Sequence, residues 1–287
     1  MHLNPKSNKQ KKKMFEHDFE IYHDIDSSHH TIPTEYHDFY ELFFFVSGNV
    51  DFLVNDEIYQ LQRGDLLFVP PGVLHNPIFK NFDIPYDRFI LWISKACMDS
   101  LIKQDPDVAY FTKPDSPKIY LLRNHGSNWT SVNATFTALY NSYNEKKLCY
   151  HTEGISMISQ IMIDYNRALF SKSKSIIPGT GNTLLTKVLR YIHTNLQGDL
   201  SLDTIASVFY TDKFYISHLF KENIKISYYQ YVIQKRLILS LELLKNGVPI
   251  HKIHESCGFS DYTCFYRAFK KEYNTTPSKY KKLNSTP

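Results

Sequence analysis

Apolar positions in the last hundred or so residues recur with a helical period, and one short pattern occurs twice. The two copies are offset by 48 residues before a central break and by 49 residues after it. The apolar positions are Leu202, Ile205, Ala206, Ile216, Leu219 and Phe220 in the first copy, and Ile250, Ile253, Phe265, Ala268 and Phe269 in the second. Spacing at i, i+3 and i+4 on both sides of the break predicts helix, tight turn, helix. That unit is the helix-turn-helix, whose second helix enters the major groove of DNA.

Each predicted second helix has one apolar face, so its opposite face is free for DNA. Thr211 or Asp212 is placed to cap the first of these helices, and Ser260 or Asp261 the second. We therefore predict two sets of DNA-contacting side chains: Lys213, Phe214, Ser217, His218 and Lys221 in the first helix, and Tyr262, Thr263, Tyr266, Arg267 and Lys270 in the second.

The segment that connects the two copies is predicted to be a single helix. It runs for 20 residues, from Ser227 to Asn246, which corresponds to about 30 Å. One turn of DNA is about 34 Å long, so two recognition helices at this spacing suit successive major grooves on one face of the duplex.

The first third of the chain has a different pattern. From Phe15 to about Ile93 short runs rich in Phe, Tyr, Val and Ile are separated by Gly, Asn and Pro, as in a β-sandwich or barrel. Two amphipathic helices are predicted next, at 128–147 and 152–170. Such a helical pair either covers the barrel or pairs with a second subunit, and the pattern leaves both open.

These patterns predict a multidomain chain with a β-barrel and helical pair followed by an all-α domain. We expect a disordered basic tail at 1–13, a sensing barrel at 14–127, the helical pair at 128–170, a linker at 171–181 and a DNA-binding domain at 182–287.

Charge is distributed unevenly between the two predicted domains. Residues 182–287 contain 15 Lys and Arg against 8 Asp and Glu, whereas residues 14–170 contain 11 against 21. A basic C-terminal domain beside an acidic N-terminal one indicates that only the former meets a polyanion.

The sequence as a whole argues against a membrane-spanning protein and against a secreted one. It contains no run of about 20 apolar residues that would cross a membrane, and the Lys-rich N-terminus lacks the apolar stretch of a secretory signal. The four cysteines are scattered without metal-binding spacing. We expect them to be reduced thiols in a cytoplasmic protein, with a structural disulfide as the lesser alternative.

Two motifs in the predicted barrel carry candidate binding residues. His37-x-x-x-Glu41 precedes Gly48, and Gly64 precedes Pro70-Pro71-Gly72 and His75. Together they resemble the paired motifs of the cupin fold, which implies a metal site of three His and one Glu. His37, Glu41 and His75 match three of these positions, but Glu35 occupies the first His position.

Because one ligand is altered, we expect no metal and no cofactor, and instead a metal-free effector pocket or a purely structural His–carboxylate hydrogen bond. A carboxylate among aromatic walls suits a small polar ligand such as a sugar. The predicted effector-binding residues are His37, Glu41 and His75, with Phe43 and Trp92 as apolar wall.

The C-terminal repeat is similar to the DNA-binding domain of the AraC/XylS family of bacterial transcription regulators. The resemblance rests on Gly258-Phe259-Ser260-Asp261, Phe265, Arg267, Phe269-Lys270-Lys271 and Thr276-Pro277-Ser278-x-Tyr280, with Arg236 and Leu243-Leu244 on the connecting helix. Departures from the family pattern are His218 in place of an arginine, Tyr210 and Lys225 in place of turn glycines, and His254 in place of a small residue.

The resemblance implies a ligand-responsive, homodimeric regulator of the sugar-sensing branch. Its partners would be double-stranded DNA, a sugar-like effector and, for an activator, RNA polymerase. A DNA-tethered, metal-dependent cupin enzyme, either an isomerase or an oxygenase, is the alternative.

Overall fold

A computed structural model describes residues 13–28, 32–113, 120–123, 127–171, 176–177, 179 and 183–284. The chain forms two compact units, residues 1–31 with 35–180 and residues 32–34 with 181–287. The predicted basic tail, apart from Lys13, lies outside the described residues, as does most of the predicted linker.

The N-terminal unit is built on two antiparallel sheets. Its first seven strands are β1 (Phe19–Asp26), β2 (Tyr40–Ser47), β3 (Asn49–Val54), β4 (Glu57–Gln60), β5 (Leu66–Val69), β6 (His75–Asn81) and β7 (Tyr86–Ile93). With two short strands, β8 (Leu121–Leu122) and β9 (Ile176–Ile177), they give a six-stranded sheet of order β1-β7-β2-β5-β8-β9 and a three-stranded sheet of order β4-β3-β6. Strand β5 lies between the Gly64 and Gly72 positions of the second barrel motif.

Alternation along the strands separates two apolar cores. In β2, Leu42 and Phe44 contribute to one core, whereas Phe43 and Phe45 contribute to the other. Phe39, Phe43 and Phe45 alternate along the sequence, and all three belong to the second core together with Trp92. Successive side chains of a strand point to opposite faces of the sheet, which places Glu41 on the same face as these aromatics.

The predicted helical pair packs on the opposite core. It consists of α2 (Ser127–Glu145) and α3 (Tyr150–Phe170), and Phe136, Leu139, Ile158 and Met162 are fully buried against the face of Leu42 and Phe44. The apolar stripes of both helices therefore cover the sheet, and helix α1 (Lys95–Gln104) and a 3₁₀ helix at Pro106–Thr112 join the same core.

Three elements differ from the sequence-based expectation. Helix α1 and the 3₁₀ helix lie within the segment predicted to be barrel, and β9 lies within the predicted linker. Strand β9 pairs with β8 through Leu121–Ile177 and Leu122–Ile176. A two-residue strand has no measurable period, so its pairing is set by the tertiary fold.

The C-terminal unit is helical, as predicted. Its helices are α4 (Leu184–Thr194), α5 (Leu202–Val208), α6 (Lys213–Leu219), α7 (Tyr228–Lys245), α8 (Ile250–Ser256), α9 (Tyr262–Tyr273) and α10 (Pro277–Asn284). A π-helical turn, Phe220–Ile224, follows α6. The predicted connecting helix is α7, which begins with a capping box formed by Ser227 and Gln230 and whose 18 residues span about 27 Å.

None of the helices in the described part of the chain combines the length and the apolar character that a membrane crossing requires. All four cysteines are described, and each is a free thiol: Cys97 and Cys257 are buried, and Cys149 and Cys264 are exposed.

Candidate functional site

The two recognition helices, α6 and α9, are capped by Asp212 and Asp261, which were among the predicted capping residues. Asp212 accepts hydrogen bonds from the backbone N–H groups of Phe214 and Tyr215 at 2.7 and 3.2 Å. Asp261 accepts one from the N–H of Cys264 at 2.7 Å. A capping carboxylate satisfies otherwise unpaired N–H groups of the first turn, so each cap fixes where its recognition helix starts.

One face of each recognition helix is buried. Ile216 and Phe220 are completely buried in the first copy, and Phe265 and Phe269 in the second. Phe220 packs against the rings of Tyr228 and Tyr231 on α7 at 5.1 and 5.4 Å. These contacts fix the rotation of each helix about its axis.

The opposite faces carry the ten predicted DNA-contacting side chains. Phe214, His218, Lys221, Tyr262, Thr263, Arg267 and Lys270 are exposed, and Lys213, Ser217 and Tyr266 are half-buried. Phe214 is 74% exposed, so its ring is accessible to a binding partner. Lys213 is partly engaged already, because its Nζ lies 2.7 Å from Asp203 Oδ1 on the preceding helix.

The turns use left-handed backbone at the positions where the family pattern has glycine. Tyr210 has φ +51° and Lys225 has φ +62°. Lys225 ends the π-helical turn by donating its N–H to the carbonyl of Phe220 at 3.1 Å. Lys221 therefore lies on this turn and not on the α-helical part of the recognition helix.

The five predicted effector-binding residues come together in the N-terminal unit. Glu41 is completely buried, and His37 and His75 each place Nε2 2.9 Å from its Oε2 atom. The His37 and His75 rings are 4.9 Å apart, and the Phe43 ring lies 6.3 Å from His75. The polar groups of this cluster (His37, Glu41 and His75) thus satisfy one another in a closed arrangement.

Trp92 has a polar role that the sequence did not indicate. It was predicted only as apolar wall, but its indole Nε1–H donates to Glu41 Oε1 at 2.6 Å. Phe39 was also missed as a site residue, and its ring stacks on His37 at 3.9 Å. The period of β2 already placed Phe39 on the face of Glu41, so this signal was present in the sequence.

The electrostatics of His75 are dominated by its neighbours. Complete burial lowers the pKa of an imidazole, but hydrogen bonding and charge attraction from Glu41, with a smaller contribution from Glu35, reverse this effect. The pKa of His75 is therefore raised above its usual value, and the cationic form of the ring is stabilised beside the carboxylate.

A groove of about 480 Å³ lies in the C-terminal unit, beside the start of α9. It is lined by Ile250, His251, Tyr262, Ser278 and Lys281. Tyr262 is one of the predicted DNA-contacting residues, and the sequence gave no indication of the groove itself.

Two protein-family models match the chain, and together they cover both units. Residues 16–107 match the AraC-like ligand binding domain. Residues 189–283 match a helix-turn-helix domain. The first match contains the cluster around Glu41, and the second contains both recognition helices.

Similar proteins span most of the chain. The "Uncharacterized HTH-type transcriptional regulator YfiF" of Bacillus subtilis (strain 168) is 26% identical over 267 residues, which is 90% of this chain and 81% of YfiF. The "HTH-type transcriptional activator RhaR" of Escherichia coli O139:H28 is 24% identical over 251 residues, which is 87% of this chain and 86% of RhaR. A solved structure of ToxT from Vibrio cholerae aligns with a TM-score of 0.40 and 15% identity, over 94% of this chain and 100% of that one.

Proposed function

We propose that this chain, which belongs to the AraC family of transcriptional regulators, binds DNA through α6 and α9 and is controlled by a sugar-like effector in its N-terminal unit. The observation that carries the proposal is the arrangement of the two capped recognition helices. Each buries one apolar face and leaves its predicted contact residues exposed or half-exposed.

The family assignment sets aside the enzyme alternative, because the similar proteins named above are transcriptional regulators. A regulator of bacterial genes works in the cytoplasm, where the DNA is. RhaR is named a transcriptional activator, and we propose the same role here, with RNA polymerase as the protein partner.

The effector proposal rests on the composition of the cluster around Glu41. A carboxylate and two imidazoles lie among Phe39, Phe43 and Trp92. A ligand with several hydroxyl groups can replace the hydrogen bonds of such a cluster while its carbon skeleton packs on the aromatic rings.

A thermal-shift screen of sugars and sugar phosphates tests the effector proposal directly. A ligand at 100 times its Kd stabilises the folded state by about 2.7 kcal/mol, so a true effector raises the melting temperature of the full chain. A panel in which no compound shifts the melting temperature would argue for a constitutive DNA-binding protein.

Arg267→Ala is expected to weaken binding to the specific DNA site more than binding to random DNA. Arg267 is exposed on α9, on the face opposite Phe265 and Phe269, and an arginine paired with guanine contributes about 1–3 kcal/mol of discrimination. The measurement is fluorescence anisotropy with a site selected from a random DNA library and with a random duplex.

Lys221→Ala is the control for Arg267→Ala. Lys221 is exposed on the π-helical turn, and its removal is expected to weaken binding to both duplexes equally, as the loss of a phosphate contact does. If Arg267→Ala also weakens binding to both duplexes equally, Arg267 contacts a phosphate and not a base.

The fragment 182–287 alone is expected to fold and to bind DNA more weakly than the full chain. Its apolar core is internal to the C-terminal unit, whereas we propose that the N-terminal half brings a second subunit and so raises the effective concentration of the second DNA-binding domain. Light scattering and anisotropy on both proteins test this. A full chain that is monomeric with and without effector contradicts the dimer explanation.

A further inference from the structure

We infer that Phe214 makes α6 a reader of thymine, whose C5-methyl group the phenyl ring contacts in the major groove. The inference rests on the proposed DNA binding through α6 and α9, and it adds which base the first of these helices selects. Three features support it: the place of Phe214 on α6, the carboxylates beside the neighbouring side chains, and the difference between the two copies of the repeat.

Phe214 lies near the start of α6, on the side that faces away from the core. It is the second residue after the capping Asp212, and residues near the start of a recognition helix are those that contact base edges. At 3.6 residues per turn, Phe214 and the completely buried Ile216 lie about 160° apart around the helix axis. Phe214 is 74% exposed, so its ring is available to a base.

Two nitrogen-bearing side chains near Phe214 already face carboxylates. Lys213 Nζ lies 2.7 Å from Asp203 Oδ1, and His218 Nδ1 lies 3.3 Å from Glu222 Oε2. A carboxylate accepts hydrogen bonds, so each pair occupies a donor that would otherwise be available to guanine. Hydrogen bonding from this helix to guanine therefore competes with these pairs, whereas contact through the Phe214 ring does not.

The two copies of the repeat differ at the positions that face the groove. The offset of 49 residues aligns Phe214 with Thr263 and His218 with Arg267. Arg267 is exposed, and a guanidinium group can donate two parallel hydrogen bonds to O6 and N7 of guanine, which an imidazole cannot do. Helix α9 is therefore suited to guanine, while α6 lacks that group and carries a phenyl ring one turn earlier.

A phenyl ring suits one base edge in the major groove. Thymine presents a methyl group there, whereas the other three bases are recognised through hydrogen-bond donors and acceptors. An apolar ring placed against those groups would leave them without partners, which is unfavourable. The charge of residues 182–287, with 15 Lys and Arg against 8 Asp and Glu, favours DNA over a protein as the partner of this face.

The experiment compares thymine with uracil, which keeps the base-pairing groups and lacks only the C5-methyl group. The site that the full-length wild-type chain selects from random DNA is synthesised with each thymine replaced singly by uracil, and Kd is measured by fluorescence anisotropy. Loss of one buried methyl group should raise Kd about fourfold at one or more positions, the equivalent of about 0.8 kcal/mol. A selected site without thymine overturns the proposal.

Phe214→Ser and Phe214→Leu assign the methyl contact to this residue. Serine removes the apolar ring, so this variant should bind the thymine duplex and the uracil duplex with the same Kd at the position that is sensitive in wild type. Leucine keeps an apolar side chain and should retain most of the difference. Each comparison is between two duplexes and one variant, so changes in overall affinity cancel. A Phe214→Ser variant that keeps the wild-type difference contradicts the proposal.

Tyr215→Ser is the matched control. Tyr215 is the next aromatic residue of the same helix and is 52% exposed, but it lies about 100° around the helix axis from Phe214. Any weakening of DNA binding by this variant should be equal for the two duplexes, so the difference between thymine and uracil should remain. Loss of the difference in both serine variants would show that it depends on the integrity of α6 and not on the Phe214 ring, which also contradicts the proposal.

Arg267→Ala separates this inference from the DNA-binding proposal on which it rests. This variant should bind the selected site more weakly but keep the difference between the thymine and uracil duplexes, because α9 and α6 contact different bases. A wild-type chain that selects no site from random DNA contradicts the proposed function and this inference with it. A wild-type chain whose selected site responds to Arg267→Ala but not to uracil overturns only the reading of thymine, and a second copy of the chain or another protein is then the partner of the Phe214 ring.

Discussion

Gly258→Ala is expected to destabilise the C-terminal unit by about 3 kcal/mol and to abolish specific DNA binding at physiological temperature. Gly258 has φ +79°, and a Cβ atom there would lie 2.1 Å from the carbonyl oxygen of Leu196 and 2.9 Å from Gln197 Cα. Both neighbours are backbone atoms, so the added methyl group cannot be accommodated by a side-chain rotation.

The backbone that this Cβ atom would meet, at residues 196–198, is also held in place. Arg236 on α7 donates from Nε to the Leu196 carbonyl at 3.0 Å and from Nη2 to the Gly198 carbonyl at 2.9 Å. Moving the segment away from residue 258 would break these charge-assisted hydrogen bonds, each of which contributes about 1.5–3 kcal/mol. Relieving the collision therefore costs stability whether residue 258 moves or the backbone at residues 196–198 moves.

Gly247→Ala provides a matched control for Gly258→Ala. Gly247 has φ +80°, yet a Cβ atom there would meet nothing within 4 Å. Gly247→Ala should therefore lower the stability only by the backbone strain of a left-handed residue, about 1–2 kcal/mol. Thermal unfolding and DNA anisotropy of both variants test the difference, and equal destabilisation would show that strain rather than collision governs Gly258.

The repeat was predictable because helical period and capping are local properties. Asp212 and Asp261 cap their helices as the sequence indicated, and the buried faces at Phe220 and Phe269 follow from spacing alone. The π-helical turn after α6 was not predictable, since its i to i+5 bond depends on Lys225 adopting φ +62°. A lysine carries no signal for that conformation.

The residues of the candidate effector site could be predicted from the sequence, but the hydrogen bonds among them could not. The motif spacing and the period of β2 brought His37, Glu41 and His75 together. The hydrogen bond from Trp92 to Glu41 joins residues 51 positions apart and depends on the register of β2 with β7, in which Glu41 faces Trp92. Such pairing across strands is set by the fold and has no sequence signature of its own.

Glu41→Gln is expected to abolish the response to effector while leaving the DNA affinity of the unliganded protein nearly unchanged. Glutamine keeps the shape of Glu41 but replaces one oxygen with an NH₂ group. Oε1 accepts from the Trp92 indole at 2.6 Å, and Oε2 faces both imidazoles at 2.9 Å. In either amide orientation one neighbour loses its acceptor, and breaking such a buried pair costs about 3–5 kcal/mol.

Because Glu41 belongs to the N-terminal unit and α6 and α9 to the C-terminal one, the loss should be confined to effector binding. The measurement is the melting temperature of the full chain with the sugar or sugar phosphate that stabilises wild type most, together with anisotropy on the selected DNA site. A variant that still responds normally would place the effector site elsewhere in the chain.

Asp65→Asn separates loss of effector binding from general loss of stability. Asp65 is a completely buried carboxylate of the same unit, and it pairs with Arg123 at 2.9 Å away from the cluster. Its variant should lose comparable stability, because it also breaks a buried ion pair, yet its melting temperature should still rise with effector. If both variants lose the response, Glu41 acts by stabilising the fold; if only Glu41→Gln does, the carboxylate among the two imidazoles and the indole is the group that binds the effector.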